Sequence, residues 1–304
     1  MNGPPWVLTV INLVMTKLYQ KLSRLNLTAE EIRKGVERDS LPATGNDRKT
    51  VLKSVFSFLD LTSLNSTDYP EQINKFAANA AGFRKSFPEM ENVAALCVFP
   101  NFVQPAREGL RGSGIRLAVV SGCFPTSQTF LEVKTAETEI AVRNGADEVD
   151  IVMPAGIFLN KEYDAVIEEI TTIRQVAGDA TLKVILETGV LNSADHIYKA
   201  SIIAMESGAD FIKTSTGKTA LSATPEAAWI MCHAIRDYYN ETGIMVGLKP
   251  AGGISTPDEA LIYYNIVSAI LGEKWLCSER FRIGASRLAN NLLKELYPEK
   301  PAYF

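Results

Sequence analysis

The sequence predicts an α/β fold, a (β/α)8 TIM barrel with an N-terminal helical extension. From residue 50 onward, short apolar runs rich in β-branched residues alternate with amphipathic helical patterns, as in a parallel sheet covered by helices. Eight such units in roughly 250 residues match the size of this barrel, and their regular spacing favours it over a doubly wound open sheet. The runs comprise residues 55–61, 94–99, 115–120, 148–153, 182–187, 210–213, 244–249 and 281–284.

Helix boundaries between the runs are marked in the sequence. Thr224 and Thr256 each precede a proline, which places a capping hydroxyl before a residue whose missing N–H costs nothing at the first helical position. Thr28 opens an earlier helix with a capping box, because a glutamate follows three residues later. Gly145 and Gly208 each precede the next run, so we expect them to end helices.

No linker-like stretch interrupts the repeated units, so we expect a barrel over residues 49–304, with a C-terminal tail, and a partly helical extension over residues 1–48. The extension has an uncharged apolar segment at residues 4–15, shorter than the ~20 residues that a membrane-spanning helix needs. No basic residue precedes this segment, as a secretory signal would require. We therefore expect a cytoplasmic protein with no membrane partner.

The composition excludes several classes of function. The chain has 304 residues, of which 46% are hydrophobic and 22% charged, as in ordinary soluble globular proteins. A net charge of −4 argues against nucleic acid as a partner, because phosphate backbones bind basic surfaces. Only two histidines are present, His196 and His233, and both lie in helical patterns. We therefore expect no metal site.

Ionisable residues at the ends of the predicted strands are the main functional signal, because TIM barrels carry their active sites there. Lys213 and Lys249 end the sixth and seventh runs, and Asp150 lies in the fourth. Burial and a second cation lower the pKa of a lysine, whose neutral amine then forms a Schiff base with a carbonyl group. Asp150 would shuttle protons. The alternative from position alone is a rim lysine in an ordinary ion pair. Lys183 begins its run, so we interpret it as structural.

Small residues after the last two runs are a second signal. Gly252 and Gly253 follow the seventh run, and residues 284–286, with Gly284 and Ser286, lead from the eighth run to the start of a helix. Loops after strands seven and eight form the usual phosphate site of this architecture, with backbone N–H groups and a helix N-terminus facing the anion. The alternative is that these glycines are only turn residues.

Two long motifs make the sequence resemble the deoxyribose-phosphate aldolase family of metal-independent class I aldolases. They are residues 210–218, Asp-Phe-Ile-Lys-Thr-Ser-Thr-Gly-Lys, and residues 249–253, Lys-Pro-Ala-Gly-Gly. The resemblance covers residues 50 to 290 and includes five shorter segments in the right order. These are residues 60–62, 95–100, 148–150, 187–189 and 281–286.

The resemblance implies a (β/α)8 fold and reversible cleavage of 2-deoxy-D-ribose 5-phosphate to acetaldehyde and D-glyceraldehyde 3-phosphate, in deoxyribose phosphate catabolism. It implies that Lys213 forms the Schiff base, that Lys249 lowers its pKa and relays protons, and that Asp150 is the acid/base partner. It also implies a phosphorylated sugar as substrate and no cofactor. Positions that match the family's phosphate site are Gly217, Lys218, Gly252, Gly253, Gly284 and Ser286.

Some positions depart from the family pattern. Many bacterial members carry arginine where this chain has Ser255, and Arg287 stands where a small residue is common. A C-terminal tyrosine assists proton transfer in some members, which makes Tyr303 a candidate. Cys97 matches a cysteine near the substrate, or else is a small buried apolar residue.

Two other functions remain open at this point. One is a transaldolase-like Schiff-base barrel that acts on a different sugar phosphate. The other is a catalytically silent sugar-phosphate sensor, which would have no use for a buried neutral amine. Barrels of this kind often self-associate, so we also expect a homo-oligomer.

Overall fold

Eight short parallel strands form the centre of the fold, as predicted. The computed structural model describes residues 21–22, 24–42, 47–191 and 193–304. Each strand pairs with its neighbours in the sequence, from the first to the seventh, and the eighth pairs with the first. Parallel bridges between Leu248 and Phe281 and between Ala251 and Gly284 join the seventh strand to the eighth and close the barrel. The strands are β1 (Leu59–Thr62), β2 (Ala95–Val98), β3 (Arg116–Ser121), β4 (Glu148–Val152), β5 (Thr181–Ile185), β6 (Phe211–Lys213), β7 (Gly247–Lys249) and β8 (Ile283–Ala285).

Helices surround the strands and cover their apolar outer faces. Two helices precede the barrel proper, α1 (Ala29–Asp39) and α2 (Arg48–Ser57). The others are α3 (Pro70–Ser86), α4 (Val103–Gly109), α5 (Leu131–Arg143), α6 (Ala155–Leu159), α7 (Tyr163–Ala177), α8 (Ala194–Glu206), α9 (Pro225–Thr242), α10 (Pro257–Leu271) and α11 (Leu288–Leu296). No helix among the residues described here is long and apolar enough to cross a membrane.

The first predicted strand begins too early. Residues 55–57 belong to α2, and β1 starts only at Leu59. The apolar residues Val51, Leu52, Val55 and Phe56 have helical spacing and are all buried, so they form the inner face of a helix rather than a strand. The seventh strand is also shorter than predicted, because residues 244–246 lie outside it.

The predicted capping signals are confirmed. Thr28 and Thr256 each form a complete capping box, and the Thr224 side chain accepts a hydrogen bond from the backbone N–H of Ala227. Gly145 and Gly208 have φ values of 107° and 95°, which lie in the region that glycine tolerates best. His196 and His233 lie in α8 and α9.

Helix α1 of the extension packs on the outside of the barrel. The indole ring of Trp229 in α9 lies against Gly35, where a Cβ atom would come within 2.4 Å of the ring. The indole N–H of Trp229 donates a 2.9 Å hydrogen bond to Asp39, and the Asn265 side chain donates to the carbonyl of Ser40. The predicted apolar segment at residues 4–15 lies outside the described residues.

We predict that Gly35→Ala destabilises the protein although alanine is the better helix former. The added methyl group would collide with Trp229, and overpacking of this kind costs about 1–3 kcal/mol. Gly82→Ala in α3 is the matched control, because its methyl group would meet only the Tyr303 hydroxyl at 3.6 Å and should stabilise the helix by about 1 kcal/mol. Urea unfolding of both variants tests this. Equal stabilisation by the two substitutions would mean that α1 does not dock on Trp229.

Candidate active site

Lys213, Lys249 and Asp150, which the sequence nominates, meet inside the barrel. The Oδ2 atom of Asp150 accepts hydrogen bonds of 2.7 Å from Nζ of Lys213 and of 2.7 Å from Nζ of Lys249. The parallel register pairs Lys213 with Lys249 as the last residues of β6 and β7. All three side chains are buried, so the carboxylate and the two amines interact with little screening by water.

A second layer of buried charge lies beneath this trio. The other oxygen of Asp150 accepts a 2.8 Å hydrogen bond from Lys183, which also contacts Glu148 at 2.6 Å. Arg282 contacts Glu148 at 2.9 Å and Asp60 at 2.6 Å, and Asp60 in turn contacts Lys249. We call the connected set of buried side chains the barrel ion cluster, which leaves out the half-exposed Arg116 beside Glu148. It comprises Asp60, Glu148, Asp150, Lys183, Lys213, Lys249 and Arg282.

The interpretation of Lys183 as structural agrees with these contacts, although the reason given for it was wrong. Lys183 is the third residue of β5 and lies directly beside Asp150 in the register, rather than at the start of the strand. The sequence analysis did not predict Glu148 and Arg282 as members of the site. Their signal was available, since charged side chains inside apolar strands are rare unless they are paired.

The cluster holds four basic side chains but only three carboxylates, and Lys213 is the basic group whose pKa is lowered. Burial lowers the pKa of Lys213, and repulsion by Lys249 adds to this against the attraction of Asp150. Burial also disfavours the charged form of Lys249, but Asp150 and Asp60 together raise its pKa above the ordinary value. With Lys213 neutral, three cations face three carboxylates. The cluster therefore favours a free amine at Lys213.

The loops at this end of the barrel are tied together by Glu187. This residue has a φ of 53° and its buried carboxylate accepts hydrogen bonds from the Thr216 hydroxyl at 2.5 Å and the Thr219 hydroxyl at 3.3 Å. The Thr214 hydroxyl donates to the carbonyl of Ala251 and accepts from its backbone N–H. These contacts fix the segment after Lys213 against the neighbouring loops.

Most residues nominated for phosphate binding lie at the same end of the barrel. Gly217 and Gly252 face each other closely, and a Cβ atom at Gly252 would lie 3.1 Å from Cα of Gly217. Gly253 has a φ of 87°, and no atom lies within 4 Å of the position that a Cβ atom would take. Nζ of Lys218 donates a 2.6 Å hydrogen bond to the carbonyl of Leu64, and Ser286 is exposed just before α11.

Gly284 has a different role in the structure. Its backbone N–H donates to the carbonyl of Pro250, which closes the barrel, so this group is not available to a phosphate. A Cβ atom here would lie 2.8 Å from Cβ of Ala251 and 3.2 Å from Cε of Lys249. The glycine therefore makes room for the lysine.

Tyr303, a candidate for proton transfer, and Ser255, a departure from the family pattern, both make contacts other than with the trio. The Tyr303 hydroxyl donates to the carbonyl of Asn79, and its ring packs edge-on against Phe83, on the outside of the barrel. Phe83 lies at the end of α3 that leads to the start of β2, so Tyr303 sits far from the ends of the strands that carry the lysines. Ser255 donates to Glu259 and supports the start of α10.

Cys97, by contrast, lies within the barrel near the lysines. It is buried in β2 beside Ala95, Ala118 and Val120. Burial raises the pKa of its thiol, and Lys249 and Lys213 counter this only in part. The side chain is therefore a neutral thiol that fills space next to the amines.

Comparison with known proteins decides the family of this site. The model of the DeoC/LacD family aldolases matches residues 54–286. The chain belongs to this family of aldolases. Deoxyribose-phosphate aldolase of Agrobacterium fabrum is 42% identical over 248 residues, covering 81% of this chain and 92% of the relative. The mouse enzyme of the same name is 40% identical over 257 residues, covering 81% and 80%.

Solved structures agree on the fold. The tetrameric structure of deoxyribose phosphate aldolase from Aeropyrum pernix superposes with a TM-score of 0.66 and covers 90% of this chain and 100% of its own. At 22% identity this likeness concerns the barrel alone. An aldolase structure named QR15 is 28% identical, with a TM-score of 0.66, and covers 80% of this chain and 96% of its own.

We predict that Lys249→Met raises the pKa of Lys213. The substitution removes a cation that repels the Lys213 proton and frees Asp150 to attract it, and both effects favour the ammonium form. The measurement is the pH dependence of Lys213 alkylation by acetaldehyde and cyanoborohydride, followed by peptide mass spectrometry. Alkylation needs the neutral amine, so its acidic limb should move to higher pH.

Lys134→Met is the matched control, because Lys134 is a buried lysine paired with Glu169 outside the ion cluster. The acidic limb of Lys213 alkylation in Lys134→Met should coincide with that of the wild type. If the acidic limb of Lys213 alkylation lies at the same pH in Lys249→Met as in the wild type, then Lys249 does not set the protonation of Lys213.

Proposed function

We propose that this chain is a class I deoxyribose-phosphate aldolase, which cleaves 2-deoxy-D-ribose 5-phosphate reversibly to acetaldehyde and D-glyceraldehyde 3-phosphate. The observation that carries the proposal is the single oxygen of Asp150 that binds both Lys213 and Lys249 in a buried site. Relatives with about 40% sequence identity are named deoxyribose-phosphate aldolase, and they include the human protein, which is 38% identical over 262 residues. The reaction belongs to the breakdown of deoxyribose phosphates.

The first step is attack of the neutral Lys213 amine on C1 of the open-chain sugar. The nitrogen lone pair forms the C–N bond, and the carbonyl oxygen takes a proton and becomes the hydroxyl of a carbinolamine. Transfer of a further proton releases that oxygen as water and leaves an iminium ion. The lowered pKa of Lys213 supplies the free amine that this step needs.

Cleavage follows when a base removes the proton of the C3 hydroxyl. The electron pair of the C2–C3 bond moves into the iminium system, which releases glyceraldehyde 3-phosphate and leaves an enamine. Protonation of C2 and addition of water then release acetaldehyde and restore Lys213. Lys249 and Asp150 accept and return the protons that these steps transfer.

Lys249 and Asp150 act as one proton-handling unit in this scheme. Burial raises the pKa of Asp150, but Lys183, Lys213 and Lys249 lower it well below its usual range, so the carboxylate is ionised at rest. The ammonium of Lys249 is therefore the group that holds the proton, and Asp150 is the acceptor beside it. This refines the role that Asp150 receives from its position in the sequence.

The phosphate is held by backbone N–H groups and one lysine. We assign it to Gly217, Gly252 and Gly253, to Ser286 at the start of α11, and to Lys218, which would leave the Leu64 carbonyl for the stronger charge of the phosphate.

Self-association is part of the proposal. Apolar side chains are exposed at Phe130, just before α5, and at Val133 and Ile140 within it, with exposed fractions of 77%, 52% and 47%. Apolar faces of this kind mark interaction surfaces, and the Aeropyrum relative is a tetramer. Sedimentation equilibrium measures the oligomer directly, and a monomer at micromolar concentration would contradict this part.

We predict that borohydride traps acetaldehyde or deoxyribose 5-phosphate as a single adduct on Lys213. Lys213→Ala should form no adduct and lose roughly 10³-fold or more of the cleavage rate while it keeps its fold, because covalent catalysis needs the amine. The test is peptide mass spectrometry with circular dichroism as the folding control. No adduct on the folded wild type would favour the sensor function instead.

We also predict that Lys218→Ala raises KM for deoxyribose 5-phosphate about tenfold or more, because a charge-assisted hydrogen bond to the phosphate is lost. Cleavage of unphosphorylated deoxyribose should keep its kcat/KM in the same variant. Lys85→Ala, an exposed lysine on α3, is the control and should change neither substrate. Equal losses with both substrates would remove Lys218 from the phosphate site.

A further inference from the structure

A large cavity opens at the end of the barrel opposite the catalytic lysines. Its volume is about 940 Å³, and it lies where α4 ends and where β3 and β4 begin. Arg116 is the first residue of β3, and Asp147 directly precedes β4. Lys213 and Lys249 are the last residues of their strands, so the length of the strands separates the two sites.

The wall of this cavity carries more positive than negative charge. Arg107, Arg111 and Arg116 line it, together with Glu108 and Asp147. Arg107 is occupied, because its guanidinium contacts Asp147 at 2.9 Å and the carbonyl of Gly145. Arg111 has no side-chain partner within the part of the chain described. Arg116 lies 3.7 Å from Glu148, beyond hydrogen-bond distance, and half of its side chain is exposed.

The guanidinium groups of Arg111 and Arg116 therefore have N–H groups that are free to donate to a ligand. A planar guanidinium binds phosphate oxygens through two parallel N–H groups, which gives both affinity and orientation. Between Arg111 and Arg116 the chain passes Gly112 and Gly114, both with a φ of 75° and both with open space at the position of a Cβ atom. Their exposed backbone also permits close approach by an anion.

We propose that this cavity is a second anion site, which binds a small phosphate-bearing molecule through Arg111 and Arg116. Its volume suits a metabolite-sized ligand, with room for more than a phosphate group alone. The site is separate from the phosphate site assigned to Lys218 and the glycine loops, and it needs no turnover to be occupied.

The experiment is equilibrium dialysis with ³²P-labelled orthophosphate at constant ionic strength. Wild type should bind two phosphates, one at each end of the barrel. In the double variant Arg111→Gln with Arg116→Gln, affinity at one site should fall about tenfold or more, because charged hydrogen bonds are lost. Lys218→Ala should retain that site and weaken the other. Displacement of the label by glycerol 3-phosphate then distinguishes a site for phosphate esters from one for free phosphate.

Arg143→Gln is the matched control, because it removes one positive charge from an exposed arginine outside the cavity. It should leave both sites intact. The proposal is overturned if the double variant binds as wild type does, if Arg143→Gln weakens binding as much, or if wild type binds a single phosphate that Lys218→Ala abolishes. Retention of the Lys218 site by the double variant confirms that it is folded. Binding is measured without substrate, so the loss at the Arg111 and Arg116 site is read independently of catalytic turnover.

Discussion

The structure depends on the placement of seven ionisable side chains in an interior that excludes water. A barrel of this size is normally filled with aliphatic residues, and each charge inside it must be matched by an opposite one. The barrel ion cluster meets this condition for three of its four basic groups with three carboxylates, and burial and repulsion by Lys249 lower the pKa of the fourth, Lys213. The lowered pKa of this lysine thus results from burial together with the charges of several neighbours, and not from a single neighbour.

Backbone geometry makes this balance possible. Register between neighbouring strands sets Asp150 beside Lys183 and Lys213 beside Lys249, and the hydrogen bond from Gly284 to Pro250 closes the ring around them. Glu187 then holds the loop that follows Lys213. The fixed loop means that little conformational freedom remains to be lost when a substrate binds.

Much of this was predictable from the sequence, for physical reasons. Charged residues within or at the ends of apolar runs are rare unless they are paired or functional, so Lys213, Lys249 and Asp150 could be nominated without coordinates. The deeper pairing of Arg282 with Glu148 joins strands 134 residues apart and depends on the register, which no local pattern contains. The early start assigned to the first strand, at residue 55, shows the same limit, since a short apolar run fits a buried helix as well as a strand.

The position of Lys213 within the cluster also bears on the chain before it folds. The partners of this lysine come from distant parts of the sequence, since Asp150 is 63 residues away and Asp150 and Lys249 are 99 residues apart. In an unfolded or newly made chain these groups do not meet, and Lys213 has the pKa of an ordinary lysine, about 10.4. Its amine is then protonated at neutral pH and no more open to cellular aldehydes than any other lysine. The lowered pKa of Lys213 therefore arises only when the barrel closes.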